Sequence, residues 1–244
     1  FMKKSNKIIC SVIASLVLIG VIFFVGKLPS SSMLRISLQM GAIYALLAVS
    51  MNFLNGMTGQ FSLGQAGFMT IGAYTYAIFT IPVAARPSVY YLYGISDAIA
   101  NVSLPIVPAL IVAGLVAAVF AAIIGTPVLR LKSDYFAIAT LGFAEVVRIV
   151  VASSPLNRIT NGSLGLKSIA SFKSYYSIFA VVIVCIVIMA LIKRSTYGRS
   201  FKAIRDDEIA AEAMGINLLS HKLLSFVISS FFAGIGGALL AMYL

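Results

Sequence analysis

The stretch LPIVPALIVAGLVAAVFAAIIGTPVL, from Leu104 to Leu129, decides the fold of this chain. It contains no charged residue. It is also longer than the roughly 20 apolar residues with which an α-helix crosses the hydrocarbon core of a bilayer. Apolar runs of similar length recur along the whole chain. The stretch therefore predicts one membrane-spanning helix among several.

The composition of the whole chain indicates the same class of protein. Of its 244 residues, 61% are hydrophobic and 10% are charged, and the mean hydropathy of +1.05 lies well outside the range of soluble domains. A β-barrel would show short segments of alternating polarity instead. The net charge of +11 does not indicate a nucleic-acid partner, because Lys and Arg lie at the ends of apolar runs. We expect an all-α, polytopic membrane helical bundle surrounded by lipid.

About seven apolar segments are long enough to be spans. The first follows Lys3, Lys4 and Lys7, so a signal peptide is the alternative for it. Its apolar run is long and no A-x-A site follows, which favours a retained span. The predicted segments are Ile8–Gly26, Leu34–Leu54, Phe61–Ile81, Leu104–Leu129, Tyr135–Ala152, Tyr175–Ile192 and a last one from about Leu223 to the end.

The distribution of Lys and Arg predicts the orientation of these spans. With a cytoplasmic N-terminus, three further stretches lie inside, namely Asn55–Gln60, Arg130–Asp134 and Lys193–Lys222. Most of the basic residues then lie in the cytoplasm, as the positive-inside rule requires. A re-entrant third segment would change this assignment.

The predicted cytoplasmic loop 193–222 holds a polar segment, GRSFKAIRDDEIAAEAMGIN, from Gly198 to Asn217. We expect short helices here and no disorder. Asp206 and Asp207 are candidates for a helix N-cap, and Glu208 follows in the first turn, where the helix dipole favours an anion. Gly215 suits the position just after a helix end. The pattern predicts a helix of about two turns that ends near Met214.

The spacing of this predicted helix separates its residues into faces. One stripe is apolar, another is charged with partners three and four residues apart, and a third surface is nearly smooth. The apolar stripe consists of Ile209, Ala213 and Ile216. The charged stripe consists of Arg205, Glu208 and Glu212, and the smooth surface consists of Ala210 and Ala211. A helix on the lipid surface is the alternative, but anionic lipid would repel its acidic residues. A groove on a partner protein is favoured.

Polar and small residues also begin the third predicted span. Irregular backbone at membrane depth is tolerated where it is buried or lines a cavity. The functional interpretation is a broken or re-entrant helix near a translocation path, and the structural one is close helix packing through small residues. The candidates are Thr58, Gly59, Gln60, Gly64, Gln65 and Gly67.

Glu145 and Arg148 are the charges inside the fifth predicted span. Charges within a membrane are costly and usually face a bundle interior or an aqueous cavity. They share a helix face, so they are either part of a substrate path or a structural ion pair that locks two helices. We favour the ion pair.

Four stretches together resemble one family of membrane proteins, and they occur in that family's order. The segment Gly198–Asn217 is similar to the cytoplasmic loop of permease subunits of branched-chain amino acid ABC transporters. MNFLNGMTGQFSLGQAGFMTIGAYTYA (Met51–Ala77), LRLKSDYFAIATLGFAEVVRIV (Leu129–Val150) and TNGSLGL (Thr160–Leu166) resemble three further regions of these subunits. One departure is Ile209, which stands where related importers carry the Glu of their Glu-Ala-Ala signature.

The resemblance implies a function and a set of partners. It implies a pore-forming subunit in a bacterial cytoplasmic (inner) membrane, with alternating access driven by ATP-binding cassette subunits that dock on the loop 193–222. It further implies a second homologous permease subunit, an extracytoplasmic binding protein, and branched-chain amino acids as cargo, with urea, short amides or sugars as the alternative. We expect one transmembrane domain over residues 1–244 that is incomplete at its C-terminus, because related permeases continue through further spans.

Two other classes of function are less well supported. The chain has no HExxH, GxSxG, P-loop or paired intramembrane aspartates, so we expect neither an enzyme nor a cofactor. An ion-coupled secondary transporter has no ATPase to dock, and the polar loop argues against it.

Overall fold

A computed structural model describes residues 20–27, 32–96, 99, 102–131, 133–172 and 174–243. Within these ranges every regular element is a helix. The all-α prediction is therefore confirmed. Most of the first predicted span, Ile8–Gly26, lies outside the described residues. Its described part, residues 20–26, is helical.

Eight helices, numbered here along the chain, form the framework. Helices α1 to α5 are Met33–Asn55, Gln65–Thr80, Ile106–Val128, Ser133–Val151 and Tyr176–Arg194. Helices α6 to α8 are Thr196–Asp206, Glu208–Ala213 and Leu218–Ala241. Single helical turns occur at Val83–Ala85, Arg86–Val89, Ser154–Leu156, Asn157–Thr160 and Gly162–Leu164.

Four of these helices, α1, α3, α5 and α8, are long and apolar enough to cross a membrane. Two further spans are possible as bent pairs. Helix α2 with Val83–Val89 bends by 97°, and Tyr135–Val151 with Ser154–Thr160 bends by 57°. The described residues thus contain four to six candidate spans, and the bend of the third predicted span lies after Thr80, not among the polar residues at its start. Its helix begins at Gln65, four residues after the predicted start at Phe61.

Helix α8 is the centre of the bundle. In its apolar stretch of 18 residues, 67% of the residues are buried inside this chain, compared with 28–33% in the corresponding stretches of α1, α3 and α5. It packs against α2, α3 and α1, and its sequence explains why, because Ala233, Gly234 and Ala238 present almost no side chain to the neighbouring helices. Small residues allow membrane helices to approach closely where no hydrophobic effect drives them together.

The closest approach in the bundle is between α2 and α8. A Cβ atom built on Gly72 would lie 2.1 Å from the carbonyl oxygen of Gly234, and one on Gly237 would lie 2.0 Å from that of Met69. The backbones of α2 and α8 therefore lie against each other at these two glycines.

Replacing Gly72 by Ala is therefore expected to force α2 away from α8. Overpacking of a filled interior costs about 1–3 kcal/mol, so the apparent melting temperature of the purified chain in detergent should fall by several degrees. Gly41 is the matched control, since it also lies within a helix and a Cβ there meets nothing within 4 Å. Gly41→Ala should leave the melting temperature unchanged or raise it slightly. Equal behaviour of the two variants would contradict the close contact.

Candidate functional site

The polar loop after α5 folds into two short helices. Helix α6 is amphipathic, with Gly198, Phe201 and Ile204 buried against the bundle and its basic residues outside. Helix α7 follows after a single extended residue, Asp207, whose φ is −159° and ψ is 112°. The predicted short helix in this loop is present as α7. It directly follows α6, which packs against the bundle.

Both ends of α7 are capped by the residues beside them. The Asp207 carboxylate accepts hydrogen bonds from the backbone N–H groups of Ile209 at 2.9 Å and Ala210 at 3.1 Å. At the other end Gly215 has a φ of +84°, a conformation that glycine adopts without steric cost. The N–H of Ile216 donates to the carbonyl of Ala211 at 3.1 Å, which completes a Schellman cap. Asp206, the other predicted cap, instead ends α6.

The predicted charge pairing within α7 is wrong. Arg205 pairs with Asp206, with 2.7 Å between Nη2 and Oδ1. Glu208 pairs with Lys222 at the start of α8, with 2.6 Å between Oε2 and Nζ. Spacing along a helix brings Arg205 and Glu208 together only if the helix is continuous, and Asp207 breaks it. The pair with Lys222 ties α7 to the central helix.

Helix α7 turns one face to the bundle and one away from it. Ala211 is buried, whereas Ile209 and Met214 are 82% and 83% exposed. The exposed surface around them consists of Glu208, Ile209, Ala210, Glu212, Ala213 and Met214. Two large apolar side chains thus stand on a rigid, capped helix in an otherwise polar segment.

The polar and small residues that begin the third predicted span lie directly beside this loop. Between α1 and α2 the chain runs without helix through Gly59–Leu63, and Thr58, Gln60 and Ser62 are buried. The backbone N–H of Ser62 donates to Asn55 Oδ1 at 3.3 Å, and that of Leu63 donates to Thr140 Oγ1 at 3.1 Å. The segment is therefore held to both α1 and α4.

Gln65 fastens the start of α2 to two other helices. Its Nε2 donates to Ser50 Oγ at 2.7 Å and to Ser229 Oγ at 3.1 Å. Ser50 and Ser229 also donate to each other's backbone carbonyl, each at 2.8 Å. Buried polar groups within a membrane are costly unless satisfied, and this cluster satisfies them between α1, α2 and α8. No sequence motif indicated the two serines, which are separated by most of the chain.

Two glycines of the segment pack against α4. A Cβ on Gly64 would lie 2.9 Å from the carbonyl oxygen of Thr140, and one on Gly67 would lie 2.9 Å from Cα of Ala144. The structure thus shows close helix packing at these residues. A role for the segment in a translocation path stays a prediction.

Glu145 and Arg148 form an ion pair within α4. Arg148 Nε donates to Glu145 Oε2 at 2.9 Å, and the side chains of Arg148 and Glu145 are 72% and 52% exposed on the described chain. The pair therefore faces outward and joins no two helices of the described residues, in contrast to the predicted lock between helices.

A cavity of about 410 Å³ lies between α2, the segment 165–169 and the end of α8. Its walls are mainly apolar, and the polar side chains among its lining residues are Thr70 and Tyr74. Sequence analysis did not identify it, because its walls come from three distant parts of the chain. The signal that was present is the spacing of Ala66, Thr70, Ala73 and Ala77 along one face of α2.

Fold and site together define a polytopic helical membrane protein with a short, capped helix that exposes two large apolar side chains. Comparison with known sequences is more specific. Residues 33–244 match the family described as branched-chain amino acid transport system / permease component. The chain belongs to this family of permease components.

Two curated relatives support this assignment. The high-affinity branched-chain amino acid transport system permease protein LivM of Salmonella typhimurium is 30% identical over 236 residues, 83% of this chain and 51% of the relative. LivM of Escherichia coli (strain K12) is 31% identical over 233 residues, 82% of this chain and 50% of the relative. The chain thus spans about half the length of these relatives. No solved structure shows a significant match.

Proposed function

We propose that this chain is a pore-forming permease subunit of an ABC importer for branched-chain amino acids. Separate ATP-binding subunits hydrolyse ATP, a second homologous permease subunit completes the pore, and an extracytoplasmic binding protein delivers the amino acid. The chain itself contributes no catalytic centre and no cofactor. Membership of the permease family and the similarity to LivM support this proposal.

The exposed surface of α7 is the feature that supports the mechanism. This surface, here called the docking face, consists of Glu208, Ile209, Ala210, Glu212, Ala213 and Met214. Exposed Ile209 and Met214 are suited to a groove on another protein, and the flanking Glu208 and Glu212 supply polar contacts that fix the register. Because both ends of α7 are capped, little conformational entropy is lost on docking. We propose that the groove belongs to the ATP-binding subunit. The full coupling region then comprises Arg205, Asp206, Asp207, Glu208, Ala210, Ala211, Glu212, Met214 and Gly215.

The location of α6 and α7 follows from this proposal. ATP is available in the cytoplasm, so the loop between α5 and α8 lies on the cytoplasmic side. The membrane is a bacterial inner membrane, and the N-terminus lies on the same side as this loop. The basic residues Lys193, Arg194, Arg199 and Lys202 on this side agree with the positive-inside rule.

The cavity beside α2 fits the proposed cargo. Its volume of about 410 Å³ and apolar walls suit a branched aliphatic side chain, and the Thr70 and Tyr74 hydroxyls lie among its lining residues. We propose that movement of α2 opens this cavity alternately to the two sides of the membrane, in the way that discontinuous helices serve other transporters. In this mechanism the segment with Thr58, Gly59, Gln60, Gly64, Gln65 and Gly67 controls the inner end of the path.

The Glu145–Arg148 pair has a different place in this proposal. Neither residue lines the cavity, and both are exposed on α4. A charged pair is costly on a lipid-facing surface. We propose that the second permease subunit covers this face of α4, so that the pair is structural and not part of the path.

Co-purification tests the proposal. The tagged chain, extracted from its native membranes, should carry an ATP-binding subunit and a second permease that mass spectrometry identifies. Glu212 has no ion-pair partner among the described residues, so Glu212→Lys changes the docking face without breaking a contact inside the chain. We expect several-fold lower recovery of the ATP-binding subunit with this variant. The control Lys202→Glu alters an exposed residue of α6 and should leave recovery unchanged.

An opposite result would separate the alternatives. If no ATP-binding subunit accompanies either form of the chain, the importer proposal is wrong. A gradient-driven carrier would then be the function to examine, through uptake that persists without ATP and follows a proton or sodium gradient.

A further inference from the structure

Arg205, in the last turn of α6, joins the two parts of the site. Its Nη1 donates to the backbone carbonyl of Gly56 at 3.0 Å, across 149 positions of sequence. Its Nε and Nη2 meanwhile donate to Asp206 Oδ1 at 3.0 and 2.7 Å. One side chain therefore connects the turn after α1 to the residue that immediately precedes the N-cap of α7.

The backbone of this turn also lies directly on the Arg205 side chain. A Cβ atom on Gly59 would be 3.0 Å from Cγ of Arg205 and 3.5 Å from its Cα. Gly59 has a φ of +74°, which an L-residue with a side chain rarely adopts. Arg205 therefore contacts the turn both through its Cγ atom and through its hydrogen bond to Gly56, although 43% of its side chain is exposed.

The Gly56–Gly59 turn lies close to the start of α2. Only the non-helical residues 60–64 separate the two, and Gln65 fixes α2 to Ser50 and Ser229. Helix α2 carries much of the cavity wall. A rigid connection therefore runs from the docking face, through Arg205 and the turn, to the helix that lines the cavity.

Two buried polar atoms in this segment lack a hydrogen-bond partner within the described chain. Thr58 Oγ1 and Gln60 Oε1 are buried and have no hydrogen-bond partner among the described residues. Buried polar atoms in native structures are nearly always bonded, so each unpaired one calls for an explanation.

We infer that Arg205 is a positioning residue that transmits movement of α7 to the Gly56–Gly59 turn and so to α2. The inference rests on the proposed importer function. Arginine suits the role better than lysine, because its planar fork donates in two directions at once, here to Asp206 and to the Gly56 carbonyl. Arg205 lies outside the docking face, so its effect is on transmission and not on docking.

The test compares transport with ATP hydrolysis in the complete transporter, reconstituted in liposomes with its ATP-binding subunits, second permease and binding protein. For Arg205→Ala we expect leucine uptake to fall by about tenfold, the size of effect that residues along a coupling route produce. ATP hydrolysis should fall far less, so the amount of leucine carried per ATP decreases. Arg205→Lys should recover part of this ratio. Arg199 makes a local side-chain hydrogen bond to Thr196 in the same helix, so Arg199→Ala should match the unaltered transporter.

A second variant approaches the same contact from the other side. Gly59→Ala adds a methyl group against Arg205 and should produce the same split between uptake and hydrolysis. If uptake and hydrolysis decline in equal proportion in both variants, or if both transport normally, the inference is wrong. If the unaltered transporter shows no ATP-dependent uptake, the proposed function itself fails, which is a distinct outcome.

Discussion

Replacement of both Ile209 and Met214 by Asp is expected to reduce amino-acid uptake by more than about a hundredfold while the chain still inserts and folds. Each side chain is more than four-fifths exposed, so neither contributes to the packing of this chain. Burial of one such side chain at an interface is worth about 1.5–3 kcal/mol. Loss of two therefore weakens docking by a factor of about a hundred or more. The added carboxylates next to Glu208 and Glu212 also introduce like-charge repulsion in the groove.

Three measurements would check this expectation. Uptake of labelled leucine reports function, recovery of the ATP-binding subunit reports docking, and the melting temperature of the purified chain reports folding. The matched control is the pair Ile209→Val and Met214→Leu, which keeps the apolar character of the docking face and should keep most of the uptake. Normal uptake by the Asp variant would show that α7 does not dock, whatever the family of the chain.

The caps of α7 could be predicted from the sequence because they depend on adjacent residues. Asp207 and Gly215 act through hydrogen bonds that span only a few residues, and the requirement for a φ of +84° at Gly215 is local as well. The long apolar runs are likewise predictable, since the thickness of the bilayer sets their length. These features depend on local chemistry or on the solvent.

The ion pairs and the polar cluster could not be predicted in the same way. Lys222 lies fourteen positions after Glu208, and only the folded arrangement of α7 against α8 brings the two together. The contacts of Gln65 with Ser50 and Ser229, and of Arg205 with Gly56, likewise join residues from separate structural elements. A single sequence gives no spacing rule for such contacts. They are the contacts on which the coupling inference depends.

A different residue, Arg86, decides whether the opposite end of α2 holds together. It is 3% exposed although it is charged, and its side chain donates to main-chain carbonyls. Two of them, Ile78 at 3.5 Å and Ile81 at 3.2 Å, belong to the last turn of α2 and the residue after it. The others, Ile99 and Val102, belong to the chain that leads into α3. A cation at a helix C-terminus satisfies carbonyls that the helix leaves unbonded and is favoured by the helix dipole.

Arg86→Met is therefore expected to remove the link between the end of α2 and the chain that enters α3. A hydrogen bond to a charged group contributes about 1.5–3 kcal/mol, and unbonded carbonyls would stay buried. We expect the free energy of unfolding to drop by about 3 kcal/mol or more, which would prevent most of the chain from reaching its folded form and would abolish uptake. The measurement is the yield of monodisperse protein from membranes, together with its melting temperature.

The controls distinguish a specific role of Arg86 from a general effect of charge. Arg158→Met removes a positive charge from an exposed position and should leave both yield and melting temperature unchanged. Arg86→Lys keeps the charge but has one ammonium group where the guanidinium reaches carbonyls from two segments, so only part of the stability should return. If Arg86→Met folds as well as Arg158→Met, the carbonyls at the end of α2 find other donors and Arg86 does not hold this end of the helix. If it fails and the Lys variant is intermediate, the geometry of the guanidinium, more than its charge, joins α2 to α3.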